Sequence, residues 1–271
     1  MPATPRAVRV EMHDLRVRTL FVTKTERLGP RMQRFTLNGE QLEPDFPAPA
    51  FAAADHVKIV LPDPQSGEVA VPGLSDDGRL VRLQEIPTPV RDYTVRAVSP
   101  DGLVIDFVLH EHGPAGSWAA EAAVGSPLGV LGPRGSHIYP DGYAHYVLIA
   151  DETALPAVGR WLDEPGWAAR VDVHALVQSA DEYPLPPRTH TTVTHHVHPL
   201  GRTRATVLEQ LVRDLELTDD TFVWAAGEAD SLKPLRRALK ARGLHRDQYE
   251  VDGYWRQGTA NLDHHIVDDD D

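Results

Sequence analysis

The hydrophobic rhythm of the chain changes near Pro140, and this change restricts the fold more than any other feature. Before it, apolar and polar residues alternate in short runs bounded by turn residues, the pattern of half-buried strands. Six such runs are Leu15 to Val22, Met32 to Leu37, His56 to Leu61, Arg91 to Val98, Leu103 to His110 and Pro127 to Leu131. One helical segment, Ser117 to Val124, interrupts them. Short strands joined by tight turns predict a small antiparallel barrel. The connection from Pro62 to Pro89, rich in Pro, Gly and Asp, is long for a compact domain and reads as a functional or a mobile loop.

After Pro140 the runs stop alternating. His145 to Ala150 (HYVLIA) is apolar almost throughout, as in a strand covered on both faces. Strands at Val171 to Val177, Thr191 to Val197 and Phe222 to Ala226 then alternate with helices at Ala154 to Leu162, Thr206 to Leu215 and Leu232 to Arg242. Such alternation predicts a parallel α/β sheet. The boundary falls in the turn-like Tyr139-Pro140-Asp141-Gly142-Tyr143.

Composition narrows the function. The chain has 271 residues, enough for two modest domains, and 41% are hydrophobic, enough for a core in each. Lys and Arg number 27 against 40 Asp and Glu, a net charge of -13, which argues against nucleic acid as a partner. There is no cysteine, so disulfides, iron–sulfur clusters and thiolate zinc sites are excluded within the chain. No apolar run reaches the roughly 18 residues needed to span a membrane. The first residues lack an apolar segment of secretory length, so no membrane insertion and a cytoplasmic location are expected.

The hairpin Val90 to His110 turns at Ser99-Pro100-Asp101-Gly102 and carries an unusual density of hydrogen-bonding side chains. On a strand, Arg91, Tyr93 and Val95 share one face, and Asp92, Thr94 and Arg96 the other. An Arg and a Tyr side by side suit a phosphate and a flat ring system. Gly113-Pro114-Ala115-Gly116-Ser117-Trp118 follows, with Ser117 placed as an N-cap and Glu121 as a first-turn acid. A helix N-terminus after such a turn suits a pyrophosphate. Together these elements fit a flavin dinucleotide; a charged hairpin and a capped helix is the plainer alternative.

These residues resemble a known family. "RDYTVR" (Arg91 to Arg96) and "DFVLHEHGPAGSWA" (Asp106 to Ala119) are similar to the siderophore-interacting proteins, which are ferric-siderophore reductases of the ferredoxin reductase-like class. The likeness continues in "GPRGS" (Gly132 to Ser136), "ADETALPA" (Ala150 to Ala157), "WAAGEADSLKPLRRAL" (Trp224 to Leu239) and "GYWRQG" (Gly253 to Gly258). The resemblance implies a six-stranded antiparallel FAD-binding β-barrel over residues 15–139, a parallel α/β NAD(P)H-binding domain over 143–262 and a disordered acidic tail over 263–271. It implies that Arg91 pairs with the flavin phosphates, Tyr93 packs near the ribityl chain and isoalloxazine, Thr94 hydrogen-bonds near N5 and His110 lies beside the flavin. Tyr93, Thr94 and His110 are thus the implied catalytic residues. Ala115, Gly116, Ser117 and Trp118 hold the pyrophosphate and adenosine end.

The second domain has no G-x-G-x-x-G. Its first strand ends in Asp151-Glu152-Thr153-Ala154, where Asp151 or Thr153 caps the next helix, and where the family brings nicotinamide to flavin. Gly227-Glu228 follows another buried strand and precedes a helix capped by Asp230 or Ser231, the usual ligand position in open α/β sheets. Tyr254, Trp255 and Arg256 close the flavin pocket or pack as an aromatic strand. Arg256, and next Arg246, are the expected contacts for an anionic ferric siderophore. Gln178 to Glu182 carry no Arg or Lys, so NADH is expected to be accepted, with NADPH the other option. His190, His196 and His198 would share a strand face; they read as a surface strand, and no metal ligand is assigned. The implied activity is NAD(P)H-dependent reduction of ferric siderophores through FAD, with release of Fe(II). Two alternatives are a flavin reductase exchanging electrons with a ferredoxin-like carrier and a non-enzymatic iron or siderophore carrier.

Overall fold

The computed structural model describes residues 6–81, 89–110, 113–181, 183–197 and 204–258. The acidic tail, His198, Glu182 and part of the long connection lie outside these residues. The chain divides into two compact units, one of residues 9–139 with 159–161, the other of 6–8, 140–158 and 162–258.

The first unit is built on seven strands: β2 (Val17–Gly29), β3 (Met32–Asn38), β4 (His56–Val60), β7 (Val90–Thr94), β8 (Ala97–Ser99), β9 (Gly102–Val108) and β10 (Pro127–Leu131). They hydrogen-bond in the order β7-β4-β10-β2-β3-β9-β8, all antiparallel. The stretch Arg91 to Val98, expected as one strand, is two. Its middle, Val95 and Arg96, turns between the ends of the sheet: the Val95 amide donates to Asp55 beside β4, and the Arg96 amide to Val104 on β9. The first and last strands are therefore consecutive in the chain, and the sheet is barrel-like, its two ends linked through these two residues. Alternation fills its interior with Leu20, Phe35, Ile59, Ile105, Phe107 and Val130, all fully buried. Across β3 and β9, Arg34 holds the buried Asp106 in a two-pronged pair at 2.7 and 2.8 Å.

Sequence periodicity missed β1 (Arg9–Met12), which pairs with β11 (Gly135–Ile138), and a small hairpin of β5 (Gly73–Leu74) and β6 (Leu80–Val81) in the long connection. Helix α1 (Pro114–Glu121) begins three residues before the expected Ser117.

The second unit is a five-stranded parallel sheet: β12 (His145–Asp151), β13 (Arg170–Val177), β14 (Thr191–Val197), β15 (Thr221–Glu228) and β16 (Tyr249–Trp255), in the order β14-β13-β12-β15-β16. The helices are α2 (Leu155–Leu162), α3 (Arg204–Asp214) and α4 (Ala229–Ala241). The chain winds outward from β12 through β13 to β14, then crosses to β15, so the topological switch lies between β12 and β15. Their carboxyl ends, Asp151 and Gly227-Glu228, flank the crevice where open α/β sheets take ligands. Among the described residues no helix is long and apolar enough to cross a membrane.

Candidate functional site: a barrel cradle and a sheet rim

On the barrel, Tyr93 stacks on Phe107 with ring centroids 4.1 Å apart and planes at 28°. Phe107 also meets Trp118 of α1 at 5.3 Å, so the aromatic stack ties β7 to the helix. Burial pushes the Tyr93 phenol well above its ordinary range, keeping it neutral. On the opposite strand face Asp92 pairs with Lys58 at 2.9 Å, and Thr94 is buried. Arg91 is half-buried and donates to the Val90 carbonyl.

Helix α1 corrects two expectations. Its N-cap is Gly113, at φ 103°, with Pro114 in the first turn and no side-chain cap. Ser117 lies inside the helix, where its hydroxyl donates to the Gly113 carbonyl at 3.2 Å, and Glu121 is its last residue instead of a first-turn acid. Trp118 is partly buried and packs 5.1 Å from Phe35. Gly116 lies against His110: a Cβ there would stand 2.4 Å from the His110 carbonyl oxygen. That contact seats the helix start beside His110. Uncapped first-turn amides with no acid among them on α1, and an Arg and a packed Tyr ring on β7, are the donor set that an anionic dinucleotide with a flat ring requires, so the residues present fit FAD.

The sheet unit carries the second set, at the carboxyl ends of β12, β15 and β16. Asp151 is only 1% exposed. Its Oδ1 accepts from the Thr153 amide at 2.9 Å and the Thr153 hydroxyl at 2.6 Å. Its Oδ2 accepts from the Glu228 amide at 3.0 Å and the Trp255 indole at 2.9 Å. Burial pushes this carboxyl's pKa up, and the Arg204 guanidinium opposes the shift. Four donors, three of them N–H groups that cannot accept, favour the ionised form, and we read Asp151 as a carboxylate. Gly227 lies against it at φ 153°; a Cβ there would be 2.7 Å from the carboxylate. Glu228, not Asp230 or Ser231, caps α4, accepting from the Ser231 amide at 2.7 Å and hydroxyl at 2.6 Å. Asp151, Thr153 and Glu228, expected as cofactor contacts, thus spend their side chains on one another and on helix starts. Ala154 is fully buried, its amide on the Asp151 carbonyl.

Trp255 reaches this network through a register shift. Gly227 pairs with Gly253, but Glu228 pairs with Trp255, so Tyr254 is an extra residue on β16. Arg204 lies over the Trp255 ring at 5.4 Å and pairs with the buried Glu152 at 2.7 Å. Sequence reasoning missed Arg204, whose only signal is its place at the start of α3. Arg256 lies beyond Trp255, 3.5 Å from Asp230. Arg246 is not brought to it: it precedes β16, at the opposite end of that strand from Trp255, donating to the Tyr249 carbonyl and pairing with Glu250. The histidines also rearrange. His190 precedes β14 at φ 57°, while His196 meets His174 of β13 at 3.0 Å. His174 lines a cavity of about 330 Å³ with Asp172, Thr192 and Thr194, and burial with the His196 neighbour lowers its pKa to about 4.

Comparison with known proteins agrees with this geometry. A family described as "Siderophore-interacting FAD-binding domain" matches residues 21–137, and one described as "Siderophore-interacting protein" matches 143–258. The chain is 32% identical over 257 residues to the "NADPH-dependent ferric-chelate reductase" of Escherichia coli, covering 94% of this chain and 99% of that protein. A siderophore utilization protein from T. fusca superimposes with a TM-score of 0.86 at 43% identity, covering 95% of this chain and 99% of that one. The siderophore-interacting protein SipS from Aeromonas hydrophila does so with 0.71 at 27%, covering 94% of each.

Proposed function

The chain belongs to the siderophore-interacting protein family, and on that premise we propose that it is an FAD-dependent oxidoreductase that uses NAD(P)H to reduce ferric siderophores and release Fe(II). The observation that carries the reading is the presence, in one chain, of an anion-ready helix start beside a Tyr-bearing strand and of a doubly wound sheet with an indole at its switch point.

FAD, when bound, supplies the redox chemistry, accepting a hydride equivalent and giving up its electrons singly. The chain's residues bind and orient. Arg91 and the first turn of α1 hold the pyrophosphate charge. Tyr93, fixed by Phe107, offers its neutral ring to the cofactor, Thr94 a hydrogen bond near the reactive edge, and His110 a wall set by Gly116. At the sheet rim, Trp255 supplies a flat surface for the nicotinamide. Arg256 attracts an anionic ferric chelate to a protein of net charge -13. Siderophores grip Fe(III) through hard oxygen donors and Fe(II) poorly, so reduction is itself the release step. NAD(P)H is a cytoplasmic reductant, and the cytoplasm is the location we propose.

The test is to reconstitute the protein with FAD and follow Fe(II) capture by a chromogenic chelator, with NADH or NADPH as donor and a ferric siderophore or a ferredoxin as acceptor. Rapid Fe(II) formation from the siderophore is expected. A protein that passes electrons to the ferredoxin alone, or takes up no FAD, overturns the reading. The residues after β13 favour NADH while the E. coli relative is named for NADPH, and the ratio of the two rates decides between them.

A further inference from the structure

We propose that Asp151 is a positioning residue: its buried carboxylate locks the Trp255 indole and the Glu228 backbone into one rim that receives the nicotinamide of NAD(P)H. The inference rests on the functional reading above, but the lock itself is visible without it.

Asp151 joins three segments far apart in sequence. It ends β12, it accepts from Glu228 at the end of β15, and it accepts from Trp255 at the end of β16. Both of its oxygens have two donors. A hydroxyl or an amide could not accept all four, because each would turn a proton toward at least one donor. An anion with this little solvent is costly to bury, and a helix cap alone does not require it, since an exposed cap serves as well. The unusual element is the indole, which the β16 bulge directs at the carboxylate. Gly227 completes the case, since a Cβ there would occupy the carboxylate's place. Glu152, paired with Arg204, and Arg204, lying over the indole, hold the ring from its other side. Side chain, backbone and bulge are therefore all arranged around the orientation of one aromatic ring at the switch point.

The test uses full-length protein labelled with 5-fluorotryptophan. Its five Trp residues give five fluorine resonances, and Trp255→Phe identifies that of Trp255. Asp151→Asn removes the charge that the indole faces and leaves one acceptor oxygen for four donors. It should shift or broaden the Trp255 resonance and leave the other four in place. In the wild type, added NADP+ or NAD+ should move the Trp255 resonance; in Asp151→Asn that response should be lost. In the FAD-loaded enzyme, Asp151→Asn and Trp255→Phe should each slow flavin reduction roughly tenfold or more, and the double variant should be no slower than the worse single. An unmoved Trp255 resonance in Asp151→Asn, or single effects that multiply in the double variant, would overturn the proposal. If Asp151→Asn does not fold, Trp255→Phe, which removes only the indole donor, must still slow flavin reduction with FAD content intact, or the proposal fails. Wild-type protein that binds no dinucleotide would instead refute the functional reading, whatever the resonances show.

Discussion

Replacing Gly116 by Ala sets two forces of opposite sign against each other. Inside an ordinary helix the change stabilises by about 1 kcal/mol, because glycine loses more backbone freedom on folding. Here the new methyl carbon would stand 2.4 Å from the His110 carbonyl oxygen and 3.0 Å from its Nδ1. Carbon–oxygen contacts settle at about 3.3 Å or more, so α1 must retreat from His110 by about 1 Å. The nearer obstacle is backbone and cannot swing aside. Overpacking of this kind costs about 1–3 kcal/mol, which cancels or exceeds the helical gain. The larger effect falls on the cofactor, since the first-turn amides move with the helix. We expect FAD affinity to fall about 30-fold, or ~2 kcal/mol. Thermal stability of the apoprotein should stay level or drop slightly. Quenching of flavin fluorescence on titration into apoprotein gives the affinity, and circular dichroism the melting temperature. Gly116→Ala protein with a raised melting temperature and unchanged FAD affinity would show that the His110 contact does not seat the helix, and the cradle argument would fail with it.

Three further outcomes are expected. Arg91→Ala should weaken FAD more than FMN if the guanidinium serves the pyrophosphate; equal losses in parallel titrations would deny it that role. Arg256→Ala should raise KM for an anionic ferric siderophore about tenfold, or ~1.4 kcal/mol, leave flavin reduction by NAD(P)H unchanged, and show a smaller difference in high salt; an unchanged KM excludes Arg256 from the substrate site. Burial, opposed by the Ser136 hydroxyl at 2.6 Å, raises the Asp55 carboxyl from 3.8 to about 6. Since the folded-state value lies above the unfolded one, the native state binds this proton more tightly, and the contribution to stability is greatest below about pH 4 and fades as pH rises past 6. The stability of wild type relative to Asp55→Asn should therefore fall by about 2 kcal/mol between pH 4 and pH 7, and a pH-independent difference in urea melts would refute the assignment.

The strands were legible where burial on one face imposes alternation, as in β2 and β4, and where burial on both faces removes it, as in β12. What escaped was decided by distant partners. β1 is exposed along its whole length, so no apolar period marks it, and only pairing with β11 makes it a strand. The break at Val95 and Arg96 follows from hydrogen bonds to Asp55 and Val104 on opposite ends of the sheet. The start of α1 was misplaced because Ser117 is a good cap by type, whereas a positive-φ Gly113 followed by Pro114 sets the true boundary. At the sheet rim the structure brings Asp151, Thr153, Glu228 and Trp255 into one hydrogen-bonded network. Asp151 and Glu228 were legible as polar groups ending buried strands, but that each faces protein donors depends on the β16 bulge and on Gly227, which no local pattern announces. Arg204 and Glu152, apart in sequence, are a pair only once α3 packs on the sheet.

The winding order of the parallel sheet has a consequence for synthesis. β12 is the central strand, yet only one of its neighbours, β13, follows it closely; the other, β15, is translated after β14 and α3. Until Thr221 to Glu228 leave the ribosome, one edge of the apolar run Tyr146 to Ala150 has no native strand to accept its amides and carbonyls. A chain halted there carries β12, β13 and β14 with one edge of β12 lacking its native neighbour, the kind of open edge that can pair with another chain. A pause in translation between β14 and β15 would prolong that state, whereas one before β12, when only the barrel has emerged, would not.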